Sequence, residues 1–395
     1  MDNRLTRLHP LDAKLLKKNG LQWFASGENH DYLSTHVIRV TPPELEALQK
    51  AAGELFQRIL ETGQAMAAQG RWKELDIPSE AVDLIQYSLQ HELDAYLIGR
   101  FDFAGGLSGL PIKMLEINAD TCSLLPETAV IQQLYWAQEK KDLLGAPFND
   151  LLGSLSRRFQ HIQDKFPKRN ASLLISTLGH EEDWLNSDVI ATAATQAGFK
   201  EVQSLALEKV IFAEDEGFFV ELSADNFRRY DFWFKFIPWE FIAYEEPDLL
   251  QILKRIIMDG HGTVLNPACA MLFQSKGLMA HLYERYPDHE SLLKTAFSAS
   301  AFANNQYVRK PAFGRMGENI AYFDGKSAPA YETEGDHGDY LPIYQELAAF
   351  NEDWEDHRYQ PSIFWTGEAS ALCFRRQDDL IIDDDAEFVS HQIAF

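Results

Sequence analysis

Cysteine is scarce in this chain: Cys122, Cys269 and Cys373 are the three among 395 residues. They are widely spaced and odd in number, so they form no CxxC pair and no zinc-ligand spacing. Reduced thiols in a cytoplasmic setting are the expectation. Long apolar runs are also missing. No window approaches about 18 uninterrupted apolar residues, so no transmembrane helix is expected, and the first ten residues lack the apolar core of a signal peptide. Positive charge is in short supply, with 36 Lys and Arg against 60 Asp and Glu and a net charge of −24. Nucleic acid and anionic membrane are therefore not expected partners, since no basic stripe offsets the excess. A nucleotide, being anionic, would need concentrated local cations or a bridging metal. Three nucleotide and nucleophile signatures are absent as well: the phosphate loop ending in G-K-[ST], the G-x-G-x-x-G fingerprint and the G-x-S-x-G elbow. The 12 histidines show no H-x-x-x-H spacing, which removes a His-based zinc centre.

What is present begins with apolar bulk. At 46% hydrophobic and 12% aromatic, the chain can bury one large core or two to three ordinary ones. Residues 1–40 read as irregular, ending in a strand-like run from His36 to Val40. Thr41 and Pro42 then open a helix to about Ala68, and Ser79 caps another through Leu89. Helices are expected over Pro126–Leu143, Asn149–Phe166, Trp184–Ala197, Leu249–Met258 and Ala268–Tyr286. The strand, helix, strand order of Ala171–Leu207 predicts a small parallel sheet. A hairpin over Lys209–Leu222 and an aromatic strand over Tyr230–Trp239, carrying Lys235, follow. The last quarter alternates strands with polar turns: Tyr340–Leu347, Pro361–Thr366, Ala369–Phe374, Leu380–Ile382 and Glu387–Ile393. Asp324–Asp339 reads as a mobile surface loop. The class is mixed α+β.

Two stretches stand out. The first runs from Tyr96 to Leu125 and reads Y-L-I-G-R-F-D-F-A, a glycine-rich break, then P-I-K-M-L-E-I-N-A-D-T-C-S. Strand alternation puts Arg100 and Asp102 on one face, opposite Phe101 and Phe103, and groups Ile112, Met114, Glu116 and Asn118. A turn centred near Gly109 would set Asp102 opposite Glu116 and Arg100 opposite Asn118. Three oxygen ligands beside one guanidinium suit magnesium and a phosphate-bearing intermediate. The same pattern also fits the wet side of a plain sheet. The second stretch is V-R-K-P-A-F-G-R-M-G-E-N, Val308–Asn319, where a strand-end lysine and a glycine loop could wrap an anion. A surface hairpin with glycines at its turn is the competing reading. Arg375 and Arg376 lie in another strand, beside two aspartates, as an exposed ion-pair cluster would. Gln345 and Glu346 are adjacent on a strand, so only one of them is expected to face a given site.

With R-F-D-F, L-E-I-N-A-D-T, the tract N-P-A-C-A-M-L-F-Q-S-K-G-L-M, V-R-K-P-A-F-G-R-M-G-E-N and I-Y-Q-E-L in order, the chain resembles the synthetase part of the glutathionylspermidine synthase family from about Leu8 onward. The likeness is greatest to its stand-alone, acid–amine ligase type. It implies an ATP-grasp fold in permuted order with a pre-ATP-grasp α/β region. The implied division is residues 1–170 with the metal-bearing hairpin, 171–265 as the pre-ATP-grasp-like region, and 266–395 as the nucleotide and lid region, packed as one module. It implies ATP and two Mg²⁺ ions, the metal held by Asp102, Glu116 and Asn118. By the same likeness Arg100 contacts the acyl phosphate and Arg375 the transferred phosphate. Lys276, Lys310, Gln345, Glu346 and Leu380 bind ATP. Thr121, Ser123 and Arg315 hold a peptide acid, and Glu181, Glu182 and Glu240 attract an amine or polyamine. A cytoplasmic monomer or homodimer acting on small molecules is the expectation.

The chain departs from the family pattern in places. No amidase module precedes the synthetase, so hydrolysis of the amide product is not expected. Asp383 and Asp384 stand where some members carry a lysine pair, which puts adenine-end contacts in doubt, and Cys122 between Thr121 and Ser123 is expected to alter the peptide pocket. A ligase of other specificity, acting on another peptide or a cell-envelope acid, and a non-catalytic nucleotide-binding homologue stay open as alternatives.

Overall fold

The structure, a computed structural model, describes residues 1–26, 29, 31–139, 145–168 and 171–394. Strands from both ends of the chain build its largest sheet. The order across it is Leu5–Arg7, Leu33–Val40, Glu387–Ile393, Ala369–Gln377, Arg358–Trp365, Gly99–Ala104 and Lys113–Asn118, with Asn351–Glu352 paired on Arg358–Trp365. Alternation along these strands feeds two cores. Phe101, Phe103, Ile363, Leu372 and Phe374 join Leu48, Leu55 and Ile59 of the helix Pro42–Gln69. Phe364, Ala371, Cys373 and Phe388 join Ile131, Tyr135, Leu151 and Leu155 on the other side. Period two in the strands and 3.6 in the helices bring these stripes face to face.

The parallel sheet is present, in the order Thr263–Leu265, Phe232–Lys235, Ser172–Thr177, Glu201–Ala206. Glu181–Gln196 is its crossover helix, as short parallel connections require. Val210–Ala213, Gly217–Ser223 and Asn226–Tyr230 form a separate antiparallel ribbon. A five-stranded antiparallel sheet carries Gln306–Pro311 at its centre, flanked by Pro342–Gln345 and Ala321–Asp324. No helix among the described residues is long and apolar enough to cross a membrane.

Several expectations are corrected. The first 40 residues hold two strands and the helix Ala13–Lys18, capped by the Asp12 side chain. Pro78, with an extended backbone, is the N-cap of Ser79–His91 in place of Ser79. Pro126–Leu143 is a π-helical turn, Glu127–Ile131, running into Gln132–Gln138; its expected end at Leu143 lies outside the described residues. The aromatic strand is cut short after Lys235, because Pro238 starts the helix Trp239–Glu245. The expected helix Ala268–Tyr286 is two helices, Cys269–Gln274 and Gly277–Arg285. A side chain at Gly277 would press within 2.5 Å of the Glu74 carbonyl, so the chain turns there against a neighbouring backbone. Leu380–Ile382 is a bend, not a strand. The segment Asp324–Asp339 is tied to the glycine loop: Thr333 Oγ1 donates to the Gly317 carbonyl at 2.6 Å and Asn319 Oδ1 accepts from the His337 amide at 2.7 Å.

Candidate active site

The hairpin has the register that its turn predicts, Arg100 opposite Asn118 and Asp102 opposite Glu116. A bulge after Asp102 shifts the phase, so Phe103 faces Met114, and Met114 joins the phenylalanine core instead of the polar face. An extra residue on one strand produces such a shift. Asp102 is saturated. Its oxygens accept from Arg100 Nε and Nη2 at 2.8 and 2.9 Å, Asn118 Nδ2 at 2.9 Å and Ser362 Oγ at 2.7 Å. Arg100 also donates to the Ser123 carbonyl at 3.0 Å.

The tract from Asn266 to Lys276 locks this hairpin in place. Asn266 Oδ1 accepts from the amides of Leu97 and Ile98, while its Nδ2 donates to the carbonyls of Ile98, Ala119 and Asp120. Gln274 Oε1 accepts from the amides of Ala119 and Asp120. Where the helix breaks, Lys276 reaches out: Nζ donates to the Gly314 carbonyl at 2.7 Å and lies 3.3 Å from Glu116 Oε2. Lys310 Nζ donates to Gln345 Oε1 at 2.8 Å and to the Leu115 carbonyl at 3.2 Å.

These groups line one cleft of about 800 Å³, counted to its open mouth. Seven of the expected residues share it: Glu116, Lys276, Lys310, Arg315, Gln345, Glu346 and Leu380. Gln345 and Glu346 both face it, contrary to the one-sided expectation, because the strand ends at Gln345 and Glu346 turns with the following coil. Burial pushes the Lys310 ammonium down to about 8, with Glu116 pulling it back up. Burial also works against the Glu116 charge, but Lys276 and Lys310 outweigh it and hold the carboxyl below its usual range.

The remaining expected residues are not among those that line the cleft. Arg375 belongs to the strand pairing with Phe388, and its charge is felt at Tyr32 and Glu182. Arg376, expected beside aspartates, pairs with Glu387 at 2.9 Å. Glu181 and Glu182 open the crossover helix; Glu181 is exposed, and burial raises the Glu182 carboxyl against the pull of Arg375 and Arg100. Glu240 is buried and paired with Arg315. Thr121 and Ser123 are half-buried, whereas Cys122 points into the core with its thiol pushed by burial up to about 12. Asp383 closes the bend by accepting from Gln377 Nε2 at 2.7 Å, against Gly317, whose φ of +73° a side chain would strain.

Sequence reasoning missed three features. The apolar walls Val308, Ile320, Leu347, Phe350, Ile381 and Ile382 surround Leu380; Val308 and Lys310, two apart on one strand, were the available signal. Asp120 and Lys235 form a fully buried pair at 2.8 Å, with Asp120 also accepting from the Trp239 amide. Glu127 is buried, accepts from the Tyr32 hydroxyl at 2.8 Å, and leaves Oε2 without a partner among the described residues. Burial, then the Glu182 charge, push its carboxyl up to about 7.

No group of three His, Cys, Asp or Glu side chains among the described residues is arranged to hold an ion. The donor set at the hairpin is two carboxylates and an amide oxygen, hard ligands of the kind magnesium takes. Arg100, Asn118 and Ser362 occupy the Asp102 oxygens and Lys276 leans on Glu116, so these carboxylates face positive charge and a metal would bind by displacing one or more of those donors.

Several known proteins are similar to this chain. A sequence profile described as glutathionylspermidine synthase preATP-grasp matches residues 4–394. A provisionally named acid–amine ligase of Haemophilus influenzae is 28% identical over 380 residues, 93% of this chain and 92% of that protein. Trypanothione synthetase of Crithidia fasciculata is 25% identical over 341 residues, 81% of this chain but 50% of that longer protein. Among solved structures, a glutathione synthetase-like effector from Globodera pallida in its apoform superposes with a TM-score of 0.59, covering 92% of this chain and 90% of that one at 11% identity. That likeness is one of fold. The chain belongs to the glutathionylspermidine synthase family of acid–amine ligases.

Proposed function

We propose that the chain is an ATP-dependent carboxylate–amine ligase forming an amide bond through an acyl phosphate, on a permuted ATP-grasp fold with a pre-ATP-grasp region. The observation that carries it is the meeting of Glu116, Lys276 and Lys310 in a cleft that also has apolar walls. Val308, Ile320, Phe350 and Leu380 suit an adenine ring, and the two lysines suit its phosphates. The division at residues 170 and 265 belongs to the same proposal; the first and last parts share the large sheet, while the middle part builds the parallel sheet and the antiparallel ribbon.

Asp102, Glu116 and Asn118 would hold Mg²⁺, two ions in this reading, whose chemistry is to neutralise phosphate charge. Lys276 and Lys310 hold the polyphosphate, and Arg315, Thr121 and Ser123 hold the acid. A carboxylate oxygen of the acid bonds to the γ-phosphorus while the bond to ADP breaks and ADP leaves with its electron pair. The amine nitrogen then bonds to the acyl carbon, the carbon–oxygen bond to phosphate breaks, and inorganic phosphate departs. Arg100 and Arg375 stabilise the phosphoryl oxygens through both steps. Glu181, Glu182 and Glu240 attract the amine. The proton that the amine must lose leaves with the departing phosphate or passes to solvent.

The family's name supports a peptide acid, glutathione among the candidates, and a polyamine. The test is ADP release from Mg·ATP across a panel of peptides and amines, with products identified by mass spectrometry. A mass equal to acid plus amine minus water is expected. Absence of ADP with every acid, together with no ATP binding by calorimetry, would overturn the reading.

A further inference from the structure

Three helices end at a second pocket that shares no lining residue with the cleft. Ser79–His91, Leu151–Lys165 and Pro247–Met258 each bring their last turn or the residue after it to its wall, through Tyr87, His91, Lys165, Phe166 and Ile257. The space is about 620 Å³, counted to its mouth. At its wall sits Glu92, the C-cap of the first helix, 5% exposed. Its Oε2 is enclosed and has no hydrogen-bond partner among the described residues. A buried carboxyl without a partner is costly and calls for an explanation.

The charges around it select a class of guest. Each helix C-terminus carries about half a negative charge, and three converge here on a carboxyl group. Asp259 adds to this and, with Glu92, is felt at Tyr87. On the rim stand His91, Lys165 and Lys168, Lys165 lying 3.4 Å from Asp94. Cys269 lies close enough on the inner side to feel Glu92. An anion would set its charge against the helix ends. A bare divalent ion would want about six or more oxygen ligands, and Glu92 is the one carboxylate among the lining residues. Tyr87, Phe166 and Ile257 offer an apolar surface instead.

We propose that this pocket binds a small alkylammonium ion, its nitrogen on Glu92 and the helix ends, its chain against Tyr87, Phe166 and Ile257. The site is independent of every assignment in the cleft. Burial pushes the Glu92 carboxyl up to about 8, so the free protein holds a proton there at neutral pH. An arriving ammonium stabilises the carboxylate and expels that proton. Binding therefore tightens about tenfold from pH 6 to pH 7 and levels off above about pH 8.

The test is calorimetric titration of the full chain with n-butylammonium chloride at several pH values, with n-butanol as the neutral control. Two buffers of different ionisation enthalpy should report about 0.9 proton released per ligand at pH 7, and butanol should give no binding. Glu92→Gln is expected to weaken binding at least tenfold and leave ATP affinity unchanged. Glu240→Gln and Glu127→Gln should retain the event, which separates it from an amine bound in the cleft. An unchanged Kd in Glu92→Gln, loss of the event in Glu240→Gln, or no binding up to about 50 mM would overturn the site. If Glu92→Gln does not fold, Lys168→Glu on the exposed rim takes its place. It should tighten binding about two- to threefold at low salt, and an unchanged Kd would count against the proposal.

Discussion

The guanidinium of Arg315, from the glycine loop, is paired with the buried carboxylate of Glu240, 75 residues earlier in the chain. Arg315 is 30% exposed and Glu240 3%, so the arginine can leave more easily than the acid. In the proposed ligase the two serve different substrates, and each holds the other until a substrate arrives.

Replacing Glu240 by Gln should therefore lower KM for the acid about three- to tenfold, because Arg315 no longer has to be released. KM for the amine should rise in the same variant. Steady-state kinetics with each substrate varied in turn would check this, and an unchanged acid KM would show that the pair does not compete with binding.

Glu116→Gln should cut turnover by at least about a hundredfold, in the range seen when one electrostatic contact to a transition state is lost. The melting temperature should move by no more than about 3 °C, since Lys276 keeps its bond to the Gly314 carbonyl. Retained ADP release would refute the metal role given to this carboxylate.

ATP affinity should decline at alkaline pH. Burial lowers the Lys310 ammonium to about 8, below its usual range, so the free protein loses that charge as pH rises past 8. The ATP Kd should then climb by up to about tenfold per unit, and Lys310→Met should flatten the profile while weakening binding at pH 7. A wild-type Kd that stays level from pH 7 to 9.5 would mean that the lysine does not meet the phosphates.

Lys235→Met should destabilise the fold by about 3–5 kcal/mol, because it leaves Asp120 charged and buried without its partner. The double change Asp120→Asn with Lys235→Met should recover part of that loss. Urea unfolding midpoints would measure both, and equal midpoints for the wild type and Lys235→Met would contradict the burial of this pair.

The hairpin was legible because its glycines fix a turn and strand alternation fixes the faces. The prediction slipped at Met114 and Ile112, which a bulge that no pattern announces moves to the apolar core. The parallel sheet was legible from apolar runs and a capped crossover helix. Convergence of Glu116, Lys276 and Lys310 was not, since almost 200 residues separate the hairpin from Lys310; it rested on the family resemblance. The walls at Leu347, Phe350 and Ile382 escaped notice because irregular backbone carries no period. Lys235 was half legible: an apolar strand flagged it, but Asp120 is 115 residues away.

The large sheet imposes an order of events on synthesis. The outer edge of Gly99–Ala104 pairs with Arg358–Trp365, and Ser362 Oγ reaches Asp102 across a separation of 260 residues. On a ribosome adding about 5–20 residues per second, that partner follows roughly 13–50 s later. Throughout this interval the strand bearing Arg100 and Asp102 has an open edge, the kind that invites pairing with another chain. The residues proposed to hold the metal thus sit on a late-closing seam, followed by the pairing of Glu387–Ile393 with Leu33–Val40. Crowded expression should make that seam the first place where newly made chains go astray.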